Sequence, residues 1–226
     1  MTKTDFFDQL AFATRAEREA LMSVPQIRAG LAGDISLETY TAYLREAYHH
    51  VKHTVPLMES ARLRLDDSHE RWRQALDAYI EEETGHEQWI LDDIAAAGGD
   101  ADAARDGEPS VATEVMVAYA YDYIARINPM GFFGMVFVLE GTSTAIATQG
   151  AQAVRESLGL PKSAFRYLTS HGAIDQEHIV FLRSVLDDVD SAEDQAAIIH
   201  VARRMFLLFA EIFRQIPHVA RPAYAV

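Results

Sequence analysis

The chain has 226 residues, 49% of them hydrophobic, and its 34 acidic against 20 basic side chains leave a formal net charge of −14. That balance argues against nucleic acid or an anionic membrane surface as a partner and favours work on a small-molecule substrate. Cysteine is absent, which excludes disulfides, thiolate nucleophiles and sulfur-ligated metals; any metal site must be built from imidazole and carboxylate.

Apolar residues recur at helical spacing nearly throughout, and strand-like alternation is scarce, so an all-α single domain over 1–226 is expected. In chain order, a first helix covers about residues 4 to 21, and a short piece follows from Pro25 to Leu31. A long helix then starts at the N-cap Ser36 and is kinked by Pro56. Another runs from near Ser68 to Gly98 and Gly99, ahead of the polar loop DADAARDGEP. Ser110 caps the next helix, which ends at Asn128 and Pro129. The very apolar GFFGMVFVLEGTSTAIATQGAQAVRESLG follows, read as shorter in unbroken apolar length than a membrane span. Gly159 and Pro161 separate it from a helix carrying HGAIDQEH. Ser191 and Asp194 form a capping box that opens the last helix, through about Ile216. The N-terminal MTKTDFFDQLAFATRAERE has no signal or anchor character, so a cytoplasmic protein is expected; a homodimer is compatible with its size.

HGAIDQEH places His171, Asp175 and His178 on one stripe of a helix, since steps of four and seven residues return to nearly the same direction. The two histidines stand about 10 Å apart along the axis. One ion could not take both, whereas two ions about 3.5 to 4 Å apart could, with the central carboxylate ligating or bridging. Two other segments offer further ligands. In YIEEETGHEQW, Glu83 and His86 form a Glu-x-x-His pair of the kind that carboxylate-bridged di-iron sites use, and Glu82 is nearly as well placed. In GMVFVLEGTS, Glu140 is a lone carboxylate after a run of apolar residues, where a bare charge is costly to bury. Blander roles stand beside these: a solvated acidic face for Glu81 to Glu83, a hydrogen-bonded network for the histidine stripe, and an arginine ion pair for Glu140. His50 and His53 are read as pocket lining or orienting partners, Glu46 or His53 as a weaker extra ligand, and Phe133 as part of an apolar wall near the metals.

The order Glu83-x-x-His86, Glu140, His171-x-x-x-Asp175-x-x-His178 resembles the ligand pattern of the haem-oxygenase-like di-iron oxidases and oxygenases, over nearly the whole chain. The resemblance implies a seven-helix haem-oxygenase-like bundle without haem. It also implies two irons per chain on those six residues, and dioxygen as co-substrate in the oxidation of a small fatty-acid-like or amine-like molecule. Several members place the first glutamate seven or more residues before its histidine; Tyr79 stands at the minus-seven place here, so Glu82 or Glu83 must substitute, with Glu83 preferred. Three alternatives stay open: a thiaminase-II-like hydrolase on the same fold, disfavoured by the missing cysteine; a haem-binding oxygenase; and a non-catalytic small-molecule-binding protein.

Overall fold

The computed structural model describes residues 5–217, the side chains of Ala173 and Ile174 excepted. His218, whose sequence position suggests an ordinary surface or core residue, lies outside the described residues. Among the described residues the fold is helical without strands, as the periodicity predicts, but it contains twelve α-helices rather than seven. These are α1 (Phe6–Ala13), α2 (Arg15–Met22), α3 (Pro25–Ala32), α4 (Leu37–Val51), α5 (Thr54–Arg64), α6 (Glu70–Glu83), α7 (His86–Ala96), α8 (Ala101–Asp106), α9 (Val111–Arg126), α10 (Phe132–Leu158), α11 (Arg166–Asp187) and α12 (Ala192–Gln215).

The larger number comes from breaks inside helices that the sequence pattern joins. Thr14 separates α1 from α2. α4 ends at Val51 with Lys52 as its C-cap, four residues before Pro56, because the proline ring collides with the carbonyl at that distance. The interruption thus falls one turn ahead of the proline, which sits inside the first turn of α5 without loss of a helical hydrogen bond. Between α6 and α7, Gly85 adopts φ 91°, a left-handed conformation open to glycine. Asp100 caps α8 by accepting from the Ala103 amide at 2.9 Å, so part of the expected polar loop is a helix. Ser36 and Ser110 cap α4 and α9 as expected. At α12 half of the capping box forms: Ser191 Oγ accepts from the Asp194 amide, but the Asp194 carboxylate turns to Asn128 Nδ2 at 2.8 Å and His69 Nε2 at 3.2 Å.

α10 is the central helix. Its segment Pro129–Leu158 is long and apolar enough to cross a membrane by length and composition, contrary to the sequence reading, yet 67% of its apolar window is buried within the bundle. Phe132, Phe133 and Phe137 join α1, α9 and α12 in the larger apolar core, each contributing roughly 1.5–3 kcal/mol by burial. Ala151 and Val154, about four turns beyond Phe137, belong to a second core with α4 and α7. α11 runs antiparallel along α10. Gly172 approaches Thr148 so closely that a Cβ at 172 would lie 2.3 Å from Thr148 Oγ1, and His178 faces Glu140. The glycine inside HGAIDQEH is therefore what lets the stripe sit tightly against α10.

Candidate metal centre

Three stretches of chain bring six ligand-type side chains together at the seam between the two cores. The geometry divides them into two triads, Glu83, His86 and His171 in one, Glu140, Asp175 and His178 in the other; within each, one donor atom per residue lies within 4.8 Å of the others. Five of the six residues are at most 9% exposed, and the His171 side chain is 13% exposed.

The first triad straddles the break at Gly85. Glu83 is the last residue of α6 and His86 the first of α7, so the pair does not occupy one continuous helical turn as the spacing suggests. The kink instead folds His86 Nδ1 to 2.9 Å from Glu83 Oε2. His171 Nδ1 donates to the Tyr167 carbonyl at 3.0 Å, and its Nε2 lies 3.7 Å from the same Glu83 oxygen. A ring nitrogen that donates to a backbone carbonyl fixes the tautomer, leaving the other nitrogen's lone pair for the site. Burial pushes the Glu83 carboxyl up, but the His171 and His86 imidazoles overcome it and hold the group down at about 2. His171 is raised by its carboxylate neighbours, against its burial.

The second triad is set by the α10–α11 pairing. His178 Nδ1 lies 3.4 Å from Glu140 Oε1, 3.6 Å from Asp175 Oδ1 and 3.9 Å from Glu83 Oε1, yet makes no hydrogen bond and is buried. Burial raises Glu140 to about 7 against the pull of His178. Burial also lowers His178, but Asp175, Glu140 and Glu82 outweigh it and lift the imidazole to about 11. Glu140 has no arginine partner among the described residues: its contacts are His178 and the Tyr79 hydroxyl, which donates to Oε2 at 3.3 Å. Glu83 reaches both triads, Oε2 towards His86 and His171 and Oε1 towards His178.

The remaining sequence candidates fall into place around this cluster. Glu81 and Glu82 are exposed; Glu82 lies outside the triads and accepts from His178 Nε2 at 2.6 Å. His50 is buried and lines an adjoining cavity. His53 does not, because it sits in the α4–α5 break with its Nδ1 3.2 Å from the Tyr121 hydroxyl. Phe133 is fully buried in the core and Phe132 faces the cavity instead, one residue being about 100° of helical turn. Glu46 is occupied in capping α9, accepting from the Ser110 amide and hydroxyl.

Three contributors escaped the sequence reading. Tyr79 reads as a core residue but hydrogen-bonds Glu140, and its position seven before His86 was the available signal. Trp89 stacks on His86 with ring centroids 3.9 Å apart, and the Arg166 guanidinium covers it at 4.5 Å. Asp93, fully buried on α7, accepts the Arg166 and Tyr167 amides at 2.9 Å each; it thereby ties the start of α11 to the helix that carries His86. Burial raises its carboxyl to about 6 despite those two bonds.

The adjoining cavity measures about 190 Å³, and Glu83, Glu140, His171 and Asp175 lie in its wall. Most of its wall is aliphatic or aromatic, and α10 lines it from Phe132 to Val154, a stretch of about 33 Å along the helix axis.

Residues 41–210 match the family model described as iron-containing redox enzyme. The chain belongs to that family. No curated protein matches the sequence. Among solved structures, a domain of unknown function with a haem-oxygenase-like fold from Shewanella denitrificans superposes with a TM-score of 0.85 at 24% identity, covering 92% of this chain and 90% of that one. A TenA homologue from Pseudomonas syringae pv. tomato gives 0.79 at 12% identity, with 92% and 91% covered. Haem oxygenase-1 from Synechocystis, in complex with haem, gives 0.74 at 13% identity, with 94% and 92% covered. At these identities the likenesses show the fold, which is haem-oxygenase-like. The family is one of iron-containing redox enzymes, and the structure gathers histidine and carboxylate groups that could hold a metal ion.

Proposed function

We propose that this chain is a non-haem di-iron oxidase or oxygenase, in which Glu83, His86 and His171 would hold one iron and Glu140, Asp175 and His178 the other. The observation that carries the reading is His178 Nδ1: a buried nitrogen without a hydrogen bond, facing three carboxylate oxygens at 3.4 to 3.9 Å. A buried polar atom left in that state is costly unless something binds it, and a nitrogen-and-oxygen donor set without sulfur suits iron. Ferrous iron held there supplies the electrons and open coordination positions that dioxygen activation needs.

The chain's own residues prepare that chemistry. Tyr167 and Glu82 each engage one ring nitrogen of a ligating histidine and so orient the other. The Tyr79 hydroxyl steadies Glu140. Glu140 and His178 hold protons that metal binding would displace. The apolar wall excludes water and presents an organic substrate to the site. A cavity of about 190 Å³ is below the roughly 300–1,000 Å³ of pockets for drug-sized ligands, which suits a slender molecule and disfavours a haem macrocycle. Without cysteine, the thiol-dependent hydrolase reading has no nucleophile.

The test is to load the metal-free protein with ferrous iron under argon and then admit dioxygen. Iron-dependent dioxygen consumption with an accompanying optical change is the expected result. Bound iron that neither consumes dioxygen nor changes its spectrum would overturn the oxidase assignment.

A further inference from the structure

Two glycines in the cavity wall are not required by the fold. Gly30 on α3 and Gly150 on α10 both line the cavity. A Cβ added at Gly30 would meet nothing within 4 Å, and one at Gly150 would meet only Leu31 Cδ2, at 3.9 Å, an ordinary van der Waals contact. Gly134 and Gly172, by contrast, leave no room: a Cβ there would lie 2.4 Å from the Ile198 carbonyl oxygen and 2.3 Å from Thr148 Oγ1. Neither Gly30 nor Gly150 has a positive φ. Glycine inside a helix is less favourable than alanine, so the helices would gain from a side chain at either place.

The side chains they lack would point into the cavity. With about 100° of turn per residue, Gly30 falls between Gln26 and Ile27 on the surface of α3, and Gly150 between Ile146 and Ala147 on that of α10; all four of these neighbours line the cavity. The approach of Leu31 to Gly150 puts both glycines beside the same α3–α10 crossing. Gly150 and Glu140 share one unbroken helix, about 15 Å apart along its axis. Val154, about one turn further on, is still in the wall. The same wall carries His50, 5% exposed, whose Nδ1 is buried without a hydrogen-bond partner, as in a cavity that takes an occupant.

Resting on the reading of the two triads as the reacting centre, we infer that Gly30 and Gly150 are specificity-determining positions, which leave room for the hydrocarbon tail of an elongated substrate whose other end lies at Glu83, Glu140, His171 and Asp175. The wall around them is aliphatic, formed by Leu31, Ile146, Ala147 and Val154. A side chain at either glycine narrows the cavity between the carboxylates and Val154, so that a long tail loses its place and a short one does not.

The experiment measures binding of radiolabelled 1-hexanol, 1-nonanol and 1-dodecanol to the full chain by equilibrium dialysis, first metal-free and then loaded with ferrous iron under argon. In the wild-type chain affinity should rise by about fourfold per added carbon. In Gly150→Leu, 1-hexanol should bind as in wild type and 1-dodecanol at least tenfold more weakly, in both metal states. Gly30→Leu should do the same and serves as a second variant should Gly150→Leu fail to fold. Gly141→Leu is the control: a Cβ at Gly141 also meets nothing within 4 Å, but that residue does not line the cavity, and all three affinities should match wild type. No saturable binding of 1-dodecanol to wild type, an equal loss of all three alcohols, no loss in the folded variants, or the same loss in Gly141→Leu would overturn the inference. Two bound irons with affinities indifferent to Gly30 and Gly150 would sink only this inference, whereas the length-dependent loss in a chain that takes up no iron would sink only the di-iron reading.

Discussion

The two triads are built from different mechanical parts, and they settle their charge differently. Glu83, His86 and His171 meet across a helix break and largely satisfy one another, with His86 hydrogen-bonded to Glu83 and the carboxyl held down at about 2. Glu140, Asp175 and His178 are set by two continuous helices packed at Gly172, and they do not: Glu140 is pushed up to about 7 and His178 Nδ1 stays bare. The second triad is thus the one in which a buried ring nitrogen faces three carboxylate oxygens without a hydrogen bond.

The sharpest way to break that comparison is to remove the residue common to both sides. Glu83→Ala should reduce ferrous uptake from two irons per chain to none, and Glu140→Ala should reduce it from two to one, both read by equilibrium dialysis. Equal losses in the two variants would mean that the triads are not separable.

Next in size, Glu82→Ala removes only the outer partner of His178 Nε2. Loss of such an orienting group weakens metal binding by about 10- to 100-fold, and the loss should fall on one of the two irons.

Acidity gives a smaller, graded test. Both raised groups of the second triad hold protons in the folded, metal-free chain, His178 up to about pH 11 and Glu140 up to about 7, and coordination requires both protons to leave. Affinity at this site should therefore rise with pH, by about tenfold per unit between 7 and 9 through His178 and more steeply below 7, where Glu140 also gives up its proton. A ferrous affinity flat from pH 6 to 9 would contradict this assignment of charge.

The smallest effect belongs to the junction. Gly85→Ala places a side chain at φ 91°, which costs about 1–2 kcal/mol and should lower the melting temperature of the metal-free protein by several degrees. An unchanged melting temperature would show that the break does not depend on the glycine.

Much of this was legible in the residues. Helical periodicity marked the all-α class, and the apolar run before Glu140 and the spacing of His171, Asp175 and His178 pointed to side chains that now face one interior cluster. What stayed hidden depends on contacts between segments distant in the chain. The α6–α7 break lies in EEETGHE, where Thr84 and Gly85 follow a run of good helix formers, and the effect of Pro56 is displaced one turn upstream. Tyr79 and Asp93 look like ordinary members of a helix face until α10 and α11 are laid against them. The choice of Phe132 over Phe133 turns on a helical phase that hydrophobicity cannot resolve when both residues are phenylalanine.

The most direct test of the account is an anaerobic ferrous titration of the wild-type chain followed by Mössbauer spectroscopy. The account predicts saturation at two irons per chain with two resolved high-spin ferrous environments. Saturation at one iron, or no specific uptake, would contradict it.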